Sequence, residues 1–166
     1  MTTLTKILSN STFADTTIPY TTFVDEDKRL IAVANSFSTQ WSGRDISIWS
    51  TSLLLYDLDT LELKNFVDNL DYPVNDLSFH PKEKIIALGI GRYDGGAYYE
   101  GELLLCYYET NELNSILTDN REVIKCAFSQ NGEKLSFTLN PTDDLDCPDY
   151  TDKQYELDFP IHAKIN

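Results

Sequence analysis

Two histidines, three cysteines and a run of carboxylates from Asp143 to Asp152 are the residues of this chain whose chemistry goes beyond packing and solvation. None falls into a catalytic spacing. His80, in Phe79-His80-Pro81, occupies a turn where a surface position is expected, and His162 belongs to the C-terminal tail. A hydrolase needs a base beside its Ser or Cys nucleophile, and no such pair suggests itself. The paired carboxylates that can do acid/base work need burial to separate their pKa values, whereas the acidic run reads as exposed. The expectation is a protein that is not an enzyme.

Cofactor and metal signals fail in the same way. The stretch GIGRYDGG opens like a phosphate-cradling loop, yet Gly89, Gly91 and Gly95 do not match G-x-G-x-x-G and no helix is expected to follow. DDLDCPDYTD has the carboxylates of a calcium loop without its glycine and closing glutamate. Cys106, Cys126 and Cys147 are odd in number and lack metal-ligand spacing, so they are expected as buried free thiols. Neither a cofactor nor a metal is expected.

With 166 residues, 42% of them hydrophobic, the chain suits a single domain, and a chain of this size buries about 70% of its unfolded surface. Its first eighteen residues lack the apolar stretch of a secretory signal, and nothing approaches a membrane span of roughly 20 residues. A cytoplasmic setting follows as the expectation. Charge is the strongest functional clue. Twenty-seven acidic against 13 basic side chains give a net charge of -14, which repels nucleic acid and anionic lipid and attracts cationic partners.

The elements that must position these residues are visible as a repeat. SLLLYDLDTLEL at 52–63 returns as ELLLCYYETNEL at 102–113, with Thr60/Thr110, Glu62/Glu112 and Leu63/Leu113 in register. Three segments place an apolar residue seven positions after a phenylalanine, across a polar turn: Phe23 to Leu30, Phe79 to Ile86 and Phe128 to Leu135. Turn residues flanked by apolar alternation predict β-hairpins. A third phrase recurs at Leu4-TK-Ile7-Leu8, Leu63-KN-Phe66-Val67 and Leu113-NS-Ile116-Leu117. With strands a to d in each unit, the order is d, abcd, abcd, abc. The units cover about 11–69, 70–120 and 121–166, with an outer strand at 4–10 and QYELDF at 154–159 as the last c.

LLLYDLDTLEL and SFHPKEKIIALG resemble the hairpins of WD-repeat β-propellers, over nearly the whole chain, although the Gly-His and Trp-Asp signatures are absent. The resemblance implies an all-β fold of three repeated antiparallel four-stranded units, with the N-terminal strand completing the last. Propellers use about four to eight blades. Three units therefore imply either an open or distorted β assembly or two chains combined into a larger one, the outer strand pairing within one chain or exchanging to form a homodimer.

In such a fold the b-to-c connections share one face with the d-to-a connections. These b-to-c segments carry Trp41, Arg44, Arg92, Tyr93, Tyr98, Tyr99 and Tyr150 among Asp143, Asp144, Asp146 and Asp149, and these are the candidate partner-binding residues. Trp49 and Tyr99 could instead simply extend strands. Aromatic and arginine anchors among carboxylates suit a protein interface. The expected function is a non-catalytic acidic binder that covers a basic partner, as an inhibitor or immunity protein against a nuclease toxin would. The alternative is a propeller-type scaffold piece of a larger assembly.

Overall fold

The computed structural model describes residues 18–40, 47–93, 99–119, 121–140 and 153–160, and all of their regular structure is β-strand. Two compact units divide the chain, Met1–Asp71 and Tyr72–Asn166. In the first, β1 (Ile18–Asp25), β2 (Leu30–Gln40), β3 (Ser47–Asp57) and β4 (Leu63–Leu70) form one antiparallel sheet in chain order. The second holds another such sheet, β5 (Val74–Phe79), β6 (Ile85–Tyr93), β7 (Tyr99–Tyr107) and β8 (Glu112–Asp119). It also holds a three-stranded sheet of β9 (Val123–Phe128), β10 (Lys134–Leu139) and β11 (Lys153–Asp158). The last sheet lacks a d strand among the described residues, and residues 4–10, expected to supply it, lie outside them.

Burial follows the sequence pattern strand by strand. The run Ile85-Ile86-Ala87-Leu88-Gly89-Ile90 is buried at every position, as an uninterrupted apolar run predicts for a strand covered on both faces. In β10, Leu135, Phe137 and Leu139 are buried while Lys134 and Ser136 are exposed. This sheet has one apolar and one polar face. Its apolar face meets Ala87, Leu103, Leu105 and Ile116 of the neighbouring sheet in a single core. Each fully buried aliphatic side chain there contributes about 1.5–3 kcal/mol relative to exposure. In the first unit, Ile31, Val33, Leu54, Tyr56 and Leu61 form a smaller core. Asn35 is also fully buried there, and neither atom of its amide finds a hydrogen-bond partner among the described residues.

The repeated sequence corresponds to a repeated turn. Between strands c and d, the Leu61 amide donates to the Asp57 carbonyl, and the Asn111 amide donates to the Tyr107 carbonyl, each at 2.9 Å. Leu61 and Asn111 both adopt positive φ, at 59° and 61°. The Thr60 and Thr110 hydroxyls accept from the Glu62 and Glu112 amides. Each c-to-d turn also holds the a-to-b turn beside it. Leu58 donates to the Arg29 carbonyl and Tyr108 to the Lys84 carbonyl, while the side chains pair as Arg29–Asp59 and Lys84–Glu109. The aligned Thr-x-Glu-Leu phrases therefore mark one hairpin geometry used twice.

One register differs from the sequence alignment. Phe79 faces Ile86 and Phe128 faces Leu135, but Phe23 faces Ala32, and Leu30 pairs with Asp25. The first turn also has four residues, between Asp25 and Leu30, but it lies one position further along from its phenylalanine than the turns closed by His80 with Ile85 and Ser129 with Lys134, and this moves Phe23 out of equivalence. Even so, Leu54, Leu104, Ile86 and Leu135 are buried as the repeat requires, and Phe79 and Phe128 are half-buried.

Polar side chains join the two sheets of the second unit. Phe128 and Leu135 flank a hairpin in which the Ser129 amide donates to the Lys134 carbonyl, so the Cys126 and Phe128 amides point away from β10. Asp76 accepts from the Cys126 amide at 2.9 Å and Ser78 accepts from the Phe128 amide at 3.0 Å. Asn75 donates its side-chain amide to the Val123 carbonyl at 3.3 Å. Because β5 positions climb as β9 positions climb, these inner strands run in the same direction. His80 closes the far end, with Nε2 3.0 Å from the Gly132 carbonyl and Nδ1 accepting from the Lys82 and Glu83 amides. The ring is only 3% exposed and packs against Phe128 and Phe159. This corrects the surface position expected from the sequence: the turn that contains His80 is covered by its neighbour. Two amide donors at Nδ1 and a carbonyl at Nε2 orient the ring in this position.

Asp57 makes the first c-to-d turn acid-sensitive. Its carboxylate accepts from the Asp59 and Thr60 amides and pairs with Lys64. The Thr60 amide above all, then Lys64 and the Asp59 amide, hold its pKa down at about 2, against the ordinary 3.8. A depressed folded pKa stabilises the fold above pH 3.8, and that contribution is lost as pH falls towards 2. Acid titration of stability should therefore show a flatter profile over this window for Asp57→Asn than for the parent chain. Parallel profiles would disprove the role of this carboxylate.

Candidate partner-binding face

With the a-to-b turns of the second unit side by side at His80 and Gly132, its b-to-c connections leave from the opposite end. The d-to-a connection is there too. Gly91 and Gly101 are register partners, and the backbone of Arg121 and Glu122 lies directly on them. A Cβ on Gly101 would stand 2.3 Å from the Arg121 carbonyl oxygen, so only glycine permits this approach. Gly91 lies in β6 and not in the loop that GIGRYDGG suggests, and Gly101 lies in β7.

The same extension relocates candidate residues. Arg92 and Tyr93 end β6, Tyr99 begins β7, and they pair as Arg92 with Glu100 and Tyr93 with Tyr99. Aromatic residues favour the pleated surface, which prolongs the hairpin beyond the glycines. In the first unit β2 reaches Gln40 and β3 starts at Ser47, which places Trp49 within β3. Of the remaining candidates, Trp41, Arg44, Tyr98, Asp143, Asp144, Asp146, Asp149 and Tyr150 lie outside the described residues.

Several polar residues at this end were not singled out from the sequence. Arg121 grips Asp119 with two nitrogens, at 3.0 and 3.2 Å, and the pair is mostly buried. The Asp119 carboxylate above all, and a hydrogen bond between the Arg121 guanidinium and Tyr155, raise the Arg121 pKa above its already high value. Glu122 accepts from the Asn140 side chain at 2.9 Å, and its carbonyl accepts from the Asn140 amide. Arg92 and Glu100 remain exposed. The described part of this end is thus fixed by an internal ion pair and hydrogen bonds, and it presents an arginine opposite a glutamate. Only the alternation Asp119-x-Arg121-Glu122 could have hinted at it.

The polar face of the third sheet carries an open groove of about 400 Å³, lined by Asp76, Lys125, Ser136, Thr138, Gln154 and Glu156 among others. Hydroxyls, an amide and a lysine can bind polar groups there. Among the described residues, no three His, Cys, Asp or Glu side chains converge as a metal site would. No helix among them is long and apolar enough to cross a membrane.

Neither a protein family nor a curated protein matches this sequence. Solved structures do match its fold. One is the β-propeller domain of the trilobed protease from Pyrococcus furiosus, described as having an open velcro topology. It shares 14% identity over 91% of this chain, with a TM-score of 0.53. Another is the tricorn protease, with 15% identity over 84% of this chain and a TM-score of 0.57. This chain spans 46% and 13% of those two chains. The sheets are propeller blades in form, and the likeness concerns fold alone.

Cys106 and Cys126 are both buried free thiols. Burial pushes the Cys106 pKa up to about 11 and that of Cys126 higher still, with Asp76 adding to the shift. Cys126 also donates to the Ala87 carbonyl at 3.5 Å. Alkylation of native protein at neutral pH, mapped by mass spectrometry, should leave both unmodified until denaturant is added. Rapid labelling of either would contradict their packing.

Proposed function

We propose that this protein is a non-catalytic binding module that sets an acidic, blade-like surface against a basic protein in the cytoplasm, in the manner of an inhibitor or immunity protein against a nuclease toxin. The observation that carries this reading is the net charge of -14 on a propeller-type framework. Such a charge draws cationic partners in and speeds their association, while repelling nucleic acid. In the second unit, the end bearing Arg92, Tyr93 and Tyr99 also carries the d-to-a connection. That arrangement gives anchors a rigid base, since Gly91 and Gly101 seat the connecting backbone.

A second reading has an observation of its own. One of the similar structures is a propeller domain, and this chain spans only a fraction of either similar chain, which favours a scaffold piece of a larger assembly. Under either reading the blades would be degenerate relatives of the WD type, without its signature dipeptides.

Affinity capture from cells at increasing salt separates the two readings. The binding module should recover a basic protein whose retention falls as salt rises, and Tyr99→Ala should weaken it by about 2 kcal/mol, the scale of an aromatic hot spot. Salt-insensitive capture of neutral or acidic assembly subunits would instead favour the scaffold.

A further inference from the structure

In the first two sheets a fourth strand, β4 or β8, covers the outer edge of the third. In the last sheet β11 is outermost, and no strand pairs with its free edge among the described residues. Its hydrogen-bonding direction can be worked out. The Phe159 amide donates to the Glu133 carbonyl at 2.7 Å, and the register runs on through Asp158 with Lys134 and Leu157 with Leu135. Residues exchanging bonds with β10 therefore include Tyr155 and Leu157. The amides and carbonyls of Gln154, Glu156 and Asp158 point outward.

The side chains on this edge are sorted just as clearly. Tyr155 and Leu157 share the apolar face with Phe137 and Leu135, and Tyr155 stacks on Phe137 with ring centroids 5.1 Å apart. Tyr155 nevertheless keeps 39% of its surface exposed. Gln154, Glu156 and Asp158 share the polar face with Thr138, Ser136 and Lys134. An arriving strand would thus place alternate residues beside an unfinished apolar surface and beside the carboxylates of Asp158 and of Glu156, the latter already paired with Lys134.

The geometry points to β11 as an acceptor for strand addition, taking an extended segment of a partner protein in which aliphatic residues alternate with lysine or arginine. Backbone bonds to Gln154, Glu156 and Asp158 would supply affinity, and the alternation would supply specificity. A second copy of β11 suits the edge poorly. Antiparallel self-pairing centred on Glu156 sets this carboxylate opposite its own counterpart, and like charges directly opposed are destabilising. The inference uses an edge away from Arg92, Tyr93 and Tyr99, so it stands or falls independently of the binding face proposed above.

Proline at position 156 offers a selective test. It deletes an outward N–H while sparing the bonds to β10, a placement that edge strands tolerate. Binding of a labelled peptide alternating valine and lysine should be measured on the full chain, on Glu156→Pro and on Glu156→Ala, which keeps the amide. Glu156→Pro should bind roughly tenfold or more weakly than Glu156→Ala. In the parent chain, the peptide should slow hydrogen exchange at Gln154, Glu156 and Asp158, a readout that holds even if the proline variant misfolds. Absent binding, or binding without that protection, would overturn the proposal. So would amides already protected in the peptide-free monomer, which would mean that the chain fills its own edge. A dimer that dissociates on Glu156→Pro would assign the edge to a second copy and equally overturn it.

Discussion

The second unit depends on how the outward amides of β9 are satisfied. An inner strand paired on one side only presents alternate N–H groups to whatever lies beyond, and a buried unsatisfied donor costs about 1–3 kcal/mol. Asp76 and Ser78 meet two of these amides, at Cys126 and Phe128, at the same two-residue spacing on both strands. That match sets the relative height of the two sheets. With the height set, Val123, Cys126 and Leu135 come to face the core of the neighbouring sheet, and His80 reaches the Gly132 carbonyl. Serine at position 78 and aspartate at position 76 are short acceptors that reach the β9 backbone directly.

The equivalent positions on β9 show where this scheme ends. Counting back from Phe128 as from Phe79, Ser78 corresponds to Ala127 and Asp76 to Lys125. Both β9 residues are exposed. Neither offers an acceptor to a further strand, and Ser136, Gln154 and Glu156 continue the polar surface across the sheet. The third sheet is therefore apolar towards its neighbour and polar on the other side, whereas β6 is buried on both faces. The same asymmetry leaves Tyr155 and Leu157 at an edge whose apolar side is incompletely covered.

Much of this fold was legible in the sequence because strand alternation and turn chemistry are local. The order of the described strands, the c-to-d turns at Thr60 and Thr110, and the burial of Leu54, Leu104, Ile86 and Leu135 all follow from residue spacing. What escaped depends on contacts between distant segments. Gly91 and Gly101 look like loop punctuation until Arg121 and Glu122 are seen lying on them. His80 looks exposed until the next hairpin covers it, and Phe23 looks equivalent to Phe79 until the first turn, placed one residue further along, shifts its partner to Ala32. For the candidate face, residue types were readable but location was not. Arg92, Tyr93 and Tyr99 belong to strands, and the Asp119–Arg121 pair that steadies this end is visible only in three dimensions.

Amide hydrogen exchange at Cys126 and Phe128 tests the central claim most directly, since these groups report whether β5 side chains hold the edge of β9. In the parent chain both amides should exchange slowly, like those within a sheet. Asp76→Ala should release Cys126 alone and Ser78→Ala should release Phe128 alone. Exchange at both positions as fast as at an open strand edge, unaffected by either substitution, would contradict the joining of the two sheets described above.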